Sequence, residues 1–185
     1  QSFIITVYVD VENTTPTIGE SLDDETINED ASYTKTVEVS NGADADFGDI
    51  IIFVVTGLPR WLSFNATTQV FSGTPTNDDV GDHDIEVTVF GAFGATDTEE
   101  ITITVANTND LPEFTGIAIT EATEDAMFSY TFTATDVDVG DTFTFSTNTL
   151  PTWLGFDNTA TISGTPTNDN VGPHSVILQV TDANG

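Results

Sequence analysis

Residues 58–81 read LPRWLSFNATTQVFSGTPTNDDVG, and residues 150–172 read LPTWLGFDNTATISGTPTNDNVG. Trp61 answers Trp153 and Gly73 answers Gly164, with one residue lost between them. The match extends upstream. Asn28-Glu29-Asp30-Ala31 answers Thr123-Glu124-Asp125-Ala126, and Asp44-Ala-Asp46-Phe-Gly-Asp49 answers Asp136-Val-Asp138-Val-Gly-Asp141. Two copies of one unit therefore fill the chain, and a period of this size fits one β-sandwich of roughly 100 residues.

Within each copy the apolar residues recur every second position. Phe128, Tyr130, Phe132 and Ala134 alternate with polar residues, as do Ile85, Val87 and Val89, and again Ile101, Ile103 and Val105. A period of two marks strands with one face in a core. β-Branched and aromatic residues fill these runs while Gly, Pro, Asn and Asp punctuate them. No segment shows a helical period, so the fold class is all-β. Gly-Thr-Pro-Thr-Asn reads as a turn in which Pro fixes φ and Asn caps through its side chain. Phe3, Ile5, Val7, Val9 and Val11 also alternate, and Glu12-Asn13-Thr14-Thr15-Pro16 is similar to Asn107-Thr-Asn-Asp-Leu-Pro112. Residues 1–16 thus read as the last strand and linker of a preceding or neighbouring module. Residues 17–112 read as one module with its linker, and 113–185 as a second lacking its last strand. A sandwich short of a strand exposes an edge that invites strand addition from another chain, so strand 3–11 is a candidate donor to a neighbouring molecule.

The chain of 185 residues carries 2 Lys and Arg against 31 Asp and Glu, a formal charge of −29. Nucleic acid and anionic lipid need a basic surface and are excluded as direct partners. The two cations are Lys35 and Arg60, so almost no carboxylate can find one. Crowded carboxylates weaken the compact state unless salt or bound metal neutralises them. With 38% apolar residues the chain can nevertheless build a core. There is no cysteine, hence no disulfide or thiolate site. No stretch approaches the roughly 18 apolar residues needed to span a bilayer, and Gln1-Ser2-Phe3 lacks a signal-peptide pattern, which reads as an internal excerpt.

The Leu-Pro-x-Trp-Leu-x-Phe…Ser-Gly-Thr-Pro-Thr-Asn-x-x-Val-Gly run, followed by a strand and an Asn-x-Asn-Asp-x-Pro linker, resembles dystroglycan-type cadherin-like modules. These overlap with the "Putative Ig" (cadherin-like) tandem modules of bacterial surface adhesins. The resemblance covers residues 17–185 and implies two tandem Greek-key Ig/cadherin-like sandwiches, an extracellular, cell-surface location, and Ca2+ at module junctions. In a cadherin-like arrangement the ligands come from three places: Glu29, Asp30 and Asp78 in loops of the first module; Asn107, Asn109 and Asp110 in the linker; and Asp136, Asp138 and Asp182 in loops of the second. Calcium takes six to eight oxygen ligands, and an Asp-x-Asp pair in an extended loop can close two carboxylates on one ion. The other reading of these acids is as solvated loop residues and turn caps. Glu12–Pro16 lacks the linker aspartate, and Gly91-Ala92-Phe93-Gly94 lacks the counterpart of Asp182, which makes Asp44 and Asp46 spectators.

The function expected is an extracellular structural or adhesive array, stiffened by calcium, whose partners are neighbouring modules or identical chains. The alternative is a carbohydrate-binding module recognising polysaccharide through Trp61 and Trp153, although repetition in one apolar frame favours packing for both indoles. His83 and His174, each in Val-Gly-x-His, make no metal site by sequence. There is no nucleophile elbow and no clustered Ser/His motif, so no enzyme is expected.

Overall fold

The computed structural model describes all residues except 1–2, 6–13, 20–21, 41–49, 92–93, 117–120 and 185. Asp44 and Asp46, and most of the proposed strand 3–11, lie outside the described residues. The chain divides into two compact units, Gln1–Thr108 and Asn109–Gly185. Two 3-10 turns stand at Asn77–Asp79 and Asn168–Asn170, and nearly all the other regular structure among the described residues is strand.

In the first unit the strands are β1 (Thr17–Ile18), β2 (Glu25–Asn28), β3 (Tyr33–Thr36), β4 (Val39–Ser40), β5 (Ile52–Thr56), β6 (Leu62–Asn65), β7 (Val70–Gly73), β8 (Gly81–Phe90) and β9 (Thr96–Ala106). One sheet runs β2-β9-β8-β5 and the other β3-β7-β6, with β1 paired to β4. The long β8–β9 hairpin is antiparallel from Gly81↔Val105 to Phe90↔Thr96, whereas β2 joins β9 in parallel. Alternation decides which side chains are inside. Ile85, Val87 and Val89 of β8 and Ile101, Ile103 and Val105 of β9 are each no more than 1% exposed. All of these but Val105 pack in one cluster with Tyr33, Leu62 and Phe71 of the opposing sheet. Phe64 bridges the layers, 5.4 Å from Phe53 and 4.7 Å from Phe71 between ring centroids. Each such fully buried side chain contributes about 1.5–3 kcal/mol.

The second unit repeats the plan with β10 (Glu113–Thr115), β11 (Phe128–Thr131), β12 (Thr133–Thr135), β13 (Thr144–Thr149), β14 (Leu154–Phe156), β15 (Thr161–Gly164) and β16 (Ile177–Thr181). The sheet β11-β15-β14 is the counterpart of β3-β7-β6, and β10 pairs with β12. Among the described residues its other layer is the pair β13-β16. Phe128 to Ala134, one alternating run in the sequence, divides between β11 and β12, which pair with different strands.

The repeated motif has a steric reason. A Cβ on Gly73 would lie 2.0 Å from the carbonyl oxygen of Trp61, and one on Gly164 would lie 2.0 Å from that of Trp153. No larger residue fits against the neighbouring strand. The Gly-Thr-Pro-Thr-Asn turn is capped differently from the expectation. Thr76 donates its N–H and hydroxyl to Asp79 Oδ2 (2.9 Å each), and Thr167 donates both to Asn170 Oδ1 (2.9 Å each). The residue three positions on closes the turn, because its side chain can reach back over one 3-10 turn, as in a capping box.

Candidate metal centre

In the second unit three chain segments converge at one end of the sandwich. Asn109 and Asp110 lead into β10, the β12–β13 loop carries Asp136, Asp138 and Asp141, and Asp182 follows β16 directly. Carboxylate oxygens of Asp136, Asp141 and Asp182 lie within 4.8 Å of one another. Asp138 and Asp182 are both buried.

Hydrogen bonds fix these loops. Asp136 Oδ1 accepts the Asp138 N–H (3.0 Å), so the Asp-x-Asp spacing closes an Asx turn rather than merely aligning two acids. Asp138 Oδ2 accepts the Asp110 N–H (2.8 Å), which ties the linker end to the loop. Asp182 Oδ1 accepts the Asn184 N–H (2.7 Å), and Oδ2 accepts the Asn109 side-chain amide (3.1 Å). Asn184 in turn donates to Asn109 Oδ1 (2.9 Å). Two oxygens are left over, since Asp136 Oδ2 and Asp141 Oδ2 are buried without a hydrogen-bond partner. Burial, reinforced by the charges of Asp138, Asp182 and Asp136, raises the Asp141 pKa above the ordinary carboxylate value.

Buried acceptors are ordinarily satisfied, and carboxylates this close ordinarily have a cation. Here no cation is at hand. Lys35 pairs with Glu25 in the first unit, and Arg60 lies exposed there. A donor set of carboxylate oxygens with a side-chain amide beside them is hard and anionic, which is the chemistry calcium requires and which zinc or copper would not select. The residues present fit that ion.

Among the described residues the first unit carries one comparable group. Glu29 is 3% exposed; its Oε1 accepts the Thr108 N–H (2.6 Å), and its Oε2 is buried without a partner. The remaining residues of the expected set sit otherwise. Asp30 is exposed, holds a left-handed φ of 58°, and donates its N–H to the Pro75 carbonyl (2.8 Å). Asp125 repeats this with φ 58° and Pro166 (2.8 Å), so the repeated Glu-Asp is a turn device that Asp tolerates better than most residues. Asp78 and Asn107 are exposed. The structure thus groups Asp136 and Asp182 with a residue the sequence reading left out, Asp141. Its signal was present, because Asp49 and Asp141 occupy matching places in the acidic repeat.

Both tryptophans are packed rather than presented. Trp61 meets Tyr33 and His83 edge-on (6.1 and 5.9 Å), and Trp153 meets Phe128 and His174 in the same way (6.1 and 6.0 Å). His83 Nε2 lies 2.6 Å from the Asp79 carbonyl, and His174 Nε2 lies 2.7 Å from that of Asn170. Each histidine therefore clamps a 3-10 turn.

The family model described as "Putative Ig domain" matches residues 15–106 and 112–185. A serine-rich adhesin for platelets from Staphylococcus aureus (strain MRSA252) is 35% identical over 132 residues, covering 71% of this chain and 9% of the adhesin. The chain thus spans under a tenth of that relative. Among solved structures, Drosophila N-cadherin EC1-4 is similar with a TM-score of 0.60 and 14% identity, over 92% of this chain and 46% of that one. Mouse cadherin-23 EC22-24 is similar with a TM-score of 0.59 and 19% identity, over 93% and 61%. At these identities the likeness to cadherins is one of fold.

Proposed function

Because the chain belongs to the "Putative Ig domain" family and is an extracellular, cell-surface module, we propose that it is a spacer in an adhesive array whose junctions are stiffened by calcium. The observation that carries this reading is the cluster of Asp136, Asp141 and Asp182, with two buried carboxylate oxygens unsatisfied. Asp136, Asp141 and Asp182 would hold the ion. Asp138 and Asn109 would fix the linker against it, through the bonds to the Asp110 N–H and to Asp182. Glu29, bonded to Thr108 at the start of the same linker, would supply the first unit's share. When bound, calcium supplies charge neutralisation and nothing reactive. Its partners here are structural: the linker backbone and the modules on either side, whether in one chain or in identical chains.

The mechanism is mechanical. With the carboxylates unneutralised the linker is a hinge, and with them neutralised it becomes a strut. Calorimetric titration of the chain with calcium, alongside the Asp136→Asn/Asp182→Asn double variant, tests the site. Binding by the parent and its loss in the variant are expected, while equal heats from both would overturn the assignment. Small-angle scattering tests the consequence, a larger maximum dimension in calcium than in chelator. Recognition of polysaccharide through Trp61 and Trp153 is the weaker reading, since both indoles are held edge-on by neighbours of their own unit.

A further inference from the structure

Among the described residues the two main sheets of the first unit end in β2 and β5, and in β3 and β6. Three of these edge strands turn polar residues outward: Thr26 and Asn28, Thr34 and Thr36, and Ser63 and Asn65. β5 is the exception, with Ile52 and Val54 outward and 57% and 45% exposed. Phe90 of β8, 37% exposed, stands directly opposite Ile52, and Ile50 leads into the strand 72% exposed. The second unit shows that the fold does not require this. At the places of Ile50, Ile52, Val54 and Phe90 it carries Thr142, Thr144, Ser146 and Thr181. The geometry is otherwise kept, because Thr144 pairs with Thr181 as Ile52 pairs with Phe90. One copy of the repeat therefore holds four exposed apolar side chains where the other holds four hydroxyls. Edge strands ordinarily carry charge or Pro that discourages pairing, and Ile52-Phe53-Val54-Val55-Thr56 has neither.

We propose that the free edge of β5 takes an extended segment of a cationic partner protein, added antiparallel as a further strand of the sheet. The outer side of an edge strand offers alternate backbone N–H and C=O groups, and Ile52, Val54 and Phe90 supply apolar contact beside them. Charge names the partner. Thr56 lies opposite Glu86 on β8, and Glu86 lies opposite Glu100 on β9, so two exposed carboxylates face each other next to the apolar stripe. Like charges placed directly opposite are destabilising. Among the described residues neither carboxylate forms an ion pair. A strand added to β5 lies about 10 Å from β8, two strand spacings away. Thr56 is short, so an Arg or Lys beside it on the added strand extends over it toward Glu86. A second copy of the chain is the poorer occupant, because with 2 cations against 31 acids it brings more of the same charge. This surface goes beyond the spacer reading and shares no residue with the calcium cluster.

The test follows the backbone amide NMR shifts of the 185-residue chain in chelator. The probe is the capped peptide Lys-Arg-Thr-Val-Thr-Ile-Lys, whose Arg, Val and Ile fall beside Thr56, Val54 and Ile52 when it lies antiparallel on β5. Shifts concentrated at residues 50–56 and 86–90 are expected, with an affinity that falls as sodium chloride screens the carboxylates. The same peptide with Glu in place of its Lys and Arg should bind at least about 10-fold more weakly. The cationic peptide should lose at least about 10-fold on the chain carrying Ile50→Thr, Ile52→Thr, Val54→Ser and Phe90→Thr. That variant borrows the second unit's own residues at exposed positions, and the comparison of the two peptides on the parent chain needs no variant at all. Glu86→Gln/Glu100→Gln should flatten the salt dependence. No shift at β5 with millimolar peptide, or equal binding of the two peptides, would overturn the proposal. Self-association of the parent chain through these same residues, growing stronger with salt, would overturn it in favour of a second copy. Because the peptide is read in chelator, a calcium site that fails leaves this result standing, and a peptide that fails leaves the calcium site standing.

Discussion

The two units are built from one repeat, yet the first has a closed core and the second an open one. Ile85, Val87 and Val89 are sealed by β9, whereas their counterparts Val176, Leu178 and Val180 range from half-buried to exposed. The floor of aromatic residues is present in both. Within the described residues the second unit pairs no counterpart of β9, and β8 spans Gly81–Phe90 while β16 begins only at Ile177. Burial in a sandwich is thus a property of the pair of sheets and not of any one alternating run.

Substitutions at matched positions can break that comparison. Ile85→Ala should cost about 2–5 kcal/mol in denaturant unfolding, as buried truncations do, whereas Val176→Ala, at a position 36% exposed, should stay within about 0.5 kcal/mol. Single-tryptophan variants keeping Trp61 or Trp153 would report the units separately, and equal losses would mean that the second core is as closed as the first. Gly73→Ala and Gly164→Ala probe what the units share. Each new Cβ meets a backbone oxygen at 2.0 Å, so each should cost about 1–3 kcal/mol in its own unit. A large difference between them would show that the motif is held differently in the two copies.

The smallest expected effect concerns a turn in which the copies differ by one atom type. Asn65 Oδ1 accepts the N–H groups of Thr67 and Thr68. At the matching place Asp157 Oδ1 accepts those of Thr159, Ala160 and Thr161 (2.8, 3.1 and 3.0 Å). The backbone bond from Thr161, followed by the side-chain and backbone bonds from Thr159 and the backbone bond from Ala160, holds the Asp157 carboxyl well below the usual range. A folded pKa below the unfolded one, about 3.9, contributes stability that is present above that unfolded value and is lost as pH falls through the folded one. Asp157→Asn should therefore flatten the acid dependence of the second unit's thermal midpoint, and Asn65→Asp should introduce one in the first. Unchanged acid profiles in both would contradict the role of this turn.

Much of the fold was legible because period-two alternation and turn residues are local. Ile101 to Val105 declares its strand, Phe128 to Ala134 declares extended chain without showing its division between β11 and β12, and the repeat supplies the module. The candidate site was only half legible. Ligands converge through loops that lie far apart in sequence, so Asp-x-Asp drew notice while Asp141, three residues on, did not. Conversely, the repeated Glu-Asp at 29–30 and 124–125 recurs for two reasons that sequence does not separate: Asp30 and Asp125 turn the backbone, and Glu29 takes the Thr108 N–H. Likewise, Asp79 and Asn170 recur as turn caps, a role that the neighbouring Asn77 and Asn168 suggested for themselves.

The most direct test of calcium as the stiffening ion is thermal unfolding with calcium and with chelator at equal ionic strength, read at Trp153. Binding to the native state alone at 100 times the dissociation constant contributes about 2.7 kcal/mol, which for a unit of this size raises the midpoint by roughly 10–20 °C. That rise is expected, along with its disappearance in Asp136→Asn/Asp182→Asn; a midpoint that calcium leaves where it was would contradict it.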